Sequence, residues 1–91
     1  MNLRHVAALA LVDWYLTTPP ISLKGADGSA PLSSWHIEAA YDNAGECDSA
    51  QVRSQKVAKK SDLPDTVKRP LIQAMDLSQC VASDDPRLKA N

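Results

Sequence analysis

The chain has two cysteines, Cys47 and Cys80, and no phenylalanine. Each fact sharpens the other. A chain of 91 residues makes one domain at most, and it buries a smaller share of its unfolded surface than a larger domain does. Its apolar side chains lean on alanine, and at about 25 cal/mol per Å² of buried apolar area an alanine contributes little. A core this lean calls for a staple: a disulfide, a metal or a partner. In an intracellular protein the two cysteines would be plain buried thiols. In an exported chain of this size they would form one bridge. The choice between these turns on the N-terminus.

Arg4 and His5 precede a compact apolar run, Val6-Ala7-Ala8-Leu9-Ala10-Leu11-Val12. A basic start followed by an Ala/Leu run is the layout of a secretory signal. Here the layout is abbreviated: Asp13 ends the run abruptly, and the small-x-small triplet Ala8-Leu9-Ala10 lies inside it. Spanning a bilayer takes about 20 apolar residues, so no transmembrane span is expected. The alternative is an ordinary N-terminal helix packed on the domain. Cleavage would leave a mature chain starting near Asp13. The chain therefore divides into an apolar segment (1–12), a short strand with a Pro/Gly/Ser-rich loop (13–33), and a folded region with a loose tail (34–91).

Trp14-Tyr15-Leu16-Thr17-Thr18 is aromatic and β-branched, and Pro19-Pro20 follows. It suits a short strand confined by the prolines to a sheet edge or to a strand end. From Pro19 to Ser33 turn residues dominate, which predicts a surface loop with little structure of its own. Gly25-Ala26-Asp27-Gly28 lacks the lysine and the strand–helix setting of a phosphate loop.

Residues Ser34 to Cys47 are the best patterned in the chain. Trp35, Ile37, Ala39 and Tyr41 alternate with Ser34, His36, Glu38 and Ala40, so a strand with one apolar face is expected. Asn43 with Glu46 three residues on matches a capping box, which predicts a helix entering with Cys47 in its first core-facing position. Arg53, Lys56, Lys59 and Lys60 gather toward its far end, where cations suit the helix dipole. Ser61-Asp62-Leu63-Pro64 breaks the pattern. A second helix is expected from about Asp65, with Pro70 in its first turns or restarting it, and Leu71, Ala74, Met75 and Leu77 on its apolar side. A final short strand over Gln79–Ser83 ends at Asp84-Asp85-Pro86.

A bridge between Cys47 and Cys80 would constrain topology, because bridged Cα atoms lie within about 7 Å. Pairing the final strand in parallel with Trp35–Tyr41 would leave Cys80 near Ser34, roughly 20 Å from Cys47 at about 3.3 Å per residue. The bridge thus predicts that these two strands pair antiparallel. The fold class expected is α+β: a small antiparallel sheet of two or three strands, two helices on one face (β-α-α-β) and one disulfide. Closing that loop would contribute roughly 3–4 kcal/mol.

With these residues in place, the chain resembles a group of small exported bacterial proteins with no assigned activity. The motifs that carry the likeness are Trp14–Pro20, Pro31–Trp35, Tyr41–Cys47 and Cys80–Lys89, the last being the most specific. The resemblance implies export and a paired-cysteine fold, and no reaction. The abbreviated apolar run and Asp13 directly before Trp14 depart from the group's pattern.

Candidate chemistry is sparse. His36 and Glu38 would make an acid/base pair, but no nucleophile or oxyanion site accompanies them, so solvent-facing side chains are expected. Cys47, Cys80, His36 and either Asp84 or Asp85 could in principle gather round a metal, yet the spacing matches no zinc pattern. Ten basic and eleven acidic residues give a net charge of −1, and no aromatics interleave the basic cluster, which argues against nucleic acid. Trp14 and Tyr15 are candidates for an interaction surface, and Trp35 for the core. The expectation is a small protein of the bacterial envelope or beyond, periplasmic or secreted, binding or structural in role, with no enzymatic activity and no cofactor. Its partner would be an unidentified protein or envelope component. The alternatives are a thiol-redox or metal-binding factor using Cys47 and Cys80, and a cytoplasmic interaction domain with buried thiols.

Overall fold

The structure is a computed structural model that describes residues 12–22 and 24–89. Apart from Val12, the expected export segment lies outside the described residues. Five strands occur among the described residues, in chain order: β1 (Trp14–Thr18), β2 (Ile21–Ser22), β3 (Gly25–Ala26), β4 (His36–Tyr41) and β5 (Gln79–Ala82). Two helices, α1 (Ala44–Lys60) and α2 (Asp65–Leu77), lie between β4 and β5, and 3-10 turns occupy Leu32–Ser34 and Pro86–Leu88. The class is α+β, as expected, with the bridge between Cys47 and Cys80 formed.

The main sheet has the order β4-β1-β5, and both neighbours run antiparallel to β1. The first strand is central, so of the two placements the prolines allow, a sheet edge or a strand end, the second holds. Pro19 and Pro20 stand just past its last residue, where they take no donor from the ladder. One expectation is corrected: β4 and β5 do not pair with each other. They flank β1 and run parallel to one another, and the bridge still closes. Leu16 lies level with Ala39 on one side and with Cys80 on the other, so Cys80 sits near the C-terminal half of β4 and not beside Ser34. α1 then folds back over β1, and Cys47, its fourth residue, comes within 6.0 Å of Cys80, Cα to Cα.

The sheet is covered on both faces. Adjacent strand residues point to opposite sides. Leu16 and Cys80 face α1 and form a core with Cys47 and Ala50, edged by Trp14 and Tyr41. Thr17 and Val81 therefore face away. Val81 meets Leu32 and Trp35, with Ala30 and Leu88 alongside. Trp35 is core, as expected, and its indole N–H donates to the Ala30 carbonyl at 2.9 Å. Thr17 is fully buried, and its hydroxyl donates to the Gln79 carbonyl at 2.9 Å.

Opposite the Leu16–Thr17 step, β4 carries one extra residue, so Leu16 faces Ala39 while Thr17 faces Ile37. A bulge of this kind breaks the period of two. Ala39 and Tyr41 stay on the helix side, Ile37 is turned to the other, and on this outer strand it is 46% exposed. The expected single apolar face is thus split in two.

Asn43 caps α1, its side chain accepting from the Glu46 N–H at 2.8 Å. α2 holds α1 along one flank: Gln51 Nε2 donates to the Ser78 carbonyl at 2.6 Å, Gln55 Nε2 to the Met75 carbonyl at 3.3 Å, and Lys59 Nζ stands 3.8 Å from an Asp76 carboxylate oxygen. Pro70 is the sixth residue of α2 and the helix runs through it. The carbonyl that loses its partner belongs to exposed Thr66, where water can replace the bond.

The loop from Pro19 to Ser33 has more structure than expected. β2 and β3 form a small hairpin, and Gly25 adopts φ 117°, a conformation that side-chain-bearing residues rarely take. The hairpin is pinned to α2 by the Ala26 N–H, which donates to Gln73 Oε1 at 3.0 Å. In the tail, residues 86–89 carry more structure than expected. Asp85 caps the last 3-10 turn by accepting from the Arg87 N–H at 2.9 Å, and Leu88 reaches the far-side core.

Candidate functional site

The sequence candidates disperse in space. Cys47 is fully buried and Cys80 half-buried, both in one covalent bond, so neither offers a thiolate for nucleophilic attack or metal ligation. Among the described residues no three His, Cys, Asp or Glu side chains converge as a metal site would require. His36 is about 70% exposed, with Nε2 3.7 Å from Glu38 Oε1. The same Glu38 oxygen accepts from the Thr18 hydroxyl at 3.0 Å. No nucleophile adjoins this pair.

Asp84 is exposed, while Asp85 is held by Arg87. The guanidinium reaches a carboxylate oxygen at 2.8 Å, and these hydrogen bonds hold the Asp85 carboxyl below the usual carboxylate range and push the Arg87 guanidinium up. Asp27 is lowered likewise, first by the Ser29 hydroxyl and then by the Ser29 N–H, which fastens the turn after β3.

Trp14 and Tyr15 are adjacent on β1 and so lie on opposite faces of the sheet. Trp14 packs against the Leu16–Cys47–Ala50 core, with Tyr41 level with it on β4. Tyr15 is half-buried on the Val81 side.

The arrangement does build a site that no single stretch announces. Along the flank of α1 not held to α2 by hydrogen bonds runs a cleft of about 530 Å3. Its walls carry Val57 and Arg53 from α1 and Tyr41 from β4. Leu71 and Met75 of α2 and Leu63 from the connection between the helices complete it. Val57 is 69% exposed and Leu63 43%. A second hollow, lined by Ile21, Val67 and Pro70, adjoins it through the shared Leu71, so the apolar surface continues round α2. Helical spacing puts Arg53 and Val57 on one face of α1, one turn apart, which is the only local signal of the cleft. Leu63 and Leu71 come from other elements, and their approach is set by tertiary packing.

No helix among the described residues is long and apolar enough to cross a membrane. No family model matches the chain, and comparison with curated proteins and with solved structures finds no match.

Proposed function

We propose that this chain is a non-enzymatic binding protein exported by bacteria, and that the cleft between α1 and α2 is its binding face. The observation that carries the reading is the cleft itself. A chain with no phenylalanine and a core built largely of small residues leaves Val57 and Leu63 in water on the walls of one concave apolar surface. Exposed apolar concavities of this kind mark places where something else is buried. The bridged cysteines support an oxidising compartment, periplasmic or secreted, and so does the likeness of Trp14–Pro20 and Cys80–Lys89 to exported bacterial proteins.

Two measurements test this. Protein recovered from the envelope fraction should have an intact mass that lacks the two thiol hydrogens and the N-terminal segment. A full-length, fully reduced cytosolic chain would contradict export. The neutral dye Nile red should gain fluorescence on the folded oxidised protein and lose it on Val57→Glu, which places a charge on the cleft wall at an exposed helical position. Equal dye binding by both proteins would place the binding face elsewhere.

A further inference from the structure

The cleft is apolar along its length and cationic at one point. Arg53 is the only charged side chain among its lining residues. No carboxylate pairs with Arg53 among the described residues, whereas Lys59 is committed to Asp76 and Arg87 to Asp85. From Arg53 to Ser61 the α1 wall runs eight residues, or about 12 Å at 1.5 Å per residue. Val57 stands midway along this wall, and Leu63 closes the far end. Polar competition on the walls is slight. The Ser61 hydroxyl already donates to the Ala58 carbonyl at 2.9 Å, leaving those of Ser54 and Tyr41.

The charge on the lining itself lies at one end, on Arg53. Lys56 is exposed and, by helical spacing, shares the outer side of α1 with Arg53, which adds to the positive potential there. At the other end Lys60 and Asp62 are both exposed near Leu63, and their opposite charges offset one another. A linear apolar chain with one anionic head satisfies all of these features. The guanidinium fork matches a carboxylate in two hydrogen bonds, and a volume of about 530 Å3 lies within the range of small-molecule sites. A single lining cation suits one singly charged head.

Taking the cleft as the binding face, we propose that its ligand is a free single-chain aliphatic carboxylate, with the head on Arg53 and the chain lying past Val57 toward Leu63. Equilibrium dialysis of the oxidised chain against dodecanoate below its micellar concentration tests this, with dodecanol as the uncharged comparator. Dodecanoate should bind one per chain and about tenfold tighter than dodecanol, the gain expected of one partly exposed charge-assisted contact. Arg53→Gln should remove the difference between acid and alcohol, and Arg53→Lys should retain part of it.

Equal affinity for the acid and the alcohol overturns the proposal, and so does a preference for the acid that survives Arg53→Gln. If dodecanol still binds in either case and Val57→Glu abolishes it, the cleft remains the binding face and only the ligand class falls. If neither compound binds and Nile red also fails, the cleft reading falls with it. Cosedimentation with phosphatidylglycerol vesicles in the absence of dodecanoate binding would overturn the proposal in favour of a membrane surface. A dimer that Val57→Glu dissociates would overturn it in favour of a second copy of the chain.

Discussion

Reducing the Cys47–Cys80 bond should remove a large fraction of the stability of this domain. The cysteines are 33 residues apart. In the chain-entropy account a loop of that length lowers the entropy of the unfolded chain by about 12.5 cal/mol/K, or about 3.7 kcal/mol at 25 °C. Domains hold about 0.05–0.15 kcal/mol per residue, so a chain of this length holds about 5–14 kcal/mol in all. The bond therefore accounts for a quarter or more of the total. Urea unfolding followed by Trp fluorescence measures it directly. With a slope near 1 kcal/mol/M, reduction should lower the midpoint by about 3.7 M or unfold the chain outright. Reduction keeps both sulfur atoms in place, so it isolates the cross-link from packing. Replacing both cysteines by alanine also removes sulfur from the fully buried site between Leu16 and Ala50, and should cost about 1 kcal/mol more. Oxidised and reduced midpoints within about 0.5 M of each other would show that the core stands without the staple.

Three further outcomes follow from local structure. Asn43→Ala removes the side chain that accepts from the Glu46 N–H, and should cost about 1 kcal/mol in urea unfolding, while Asn43→Asp should retain most of the cap. Gly25→Ala forces a side chain into φ 117° and against Gln73 Oε1, so thermal unfolding should show a loss of about 1–3 kcal/mol. Adding Gln73→Ala should relieve the contact and leave the backbone strain. Asp85 has a lowered carboxyl pKa because Arg87 donates to its charged form. Its contribution to stability is therefore complete above the unfolded carboxylate value of about 3.9 and is lost as pH falls through the lower folded value. In an NMR titration the Arg87 amide should shift with a midpoint below the ordinary carboxylate range, and Arg87→Gln should bring that midpoint back toward it.

What could be read from the sequence was local or covalent. Asn43 and Glu46 mark the start of α1 because a cap is a bond between residues three apart, and the run from Trp14 to Thr18 marks a strand because its side chains favour one. The order of strands was not legible. β1 finds β5 across more than sixty residues of chain, and its central place depends on both ladders forming at once, which no pattern within Trp14–Thr18 encodes. The extra residue in β4 also left no trace in the alternation from Trp35 to Tyr41, so Ile37 reads as buried until its partner Thr17 is known. The tail was misjudged because Leu88 has no periodic neighbours. Its place is set by a cluster that includes Leu32 and Trp35, which are far away in sequence. The cleft was hidden for the same reason, since its lining comes from four separate segments.

The position of the staple helps explain why a cleft exists at all. Cys47 ties the start of α1 to the sheet, and the rest of that helix is held from one side by Gln51, Gln55 and Lys59 acting on α2 and the residues after it. Polar contacts of this kind position a helix without filling the flank next to them, where Leu71 and Met75 of α2 form the facing wall. On that flank Ala50 and Ala58 are buried, and next to them Val57 and Arg53 are left facing solvent. A longer chain would have buried Val57 to gain stability, at about 25 cal/mol per Å². Here the bridge supplies part of that stability by another route, and the apolar surface it leaves uncovered remains available for binding. Substituting Val57 should on this account change stability by no more than about 0.5 kcal/mol, as for other exposed helical positions. A large loss of stability on Val57→Ser would mean that the flank belongs to the core, and the separation between staple and binding face would fail.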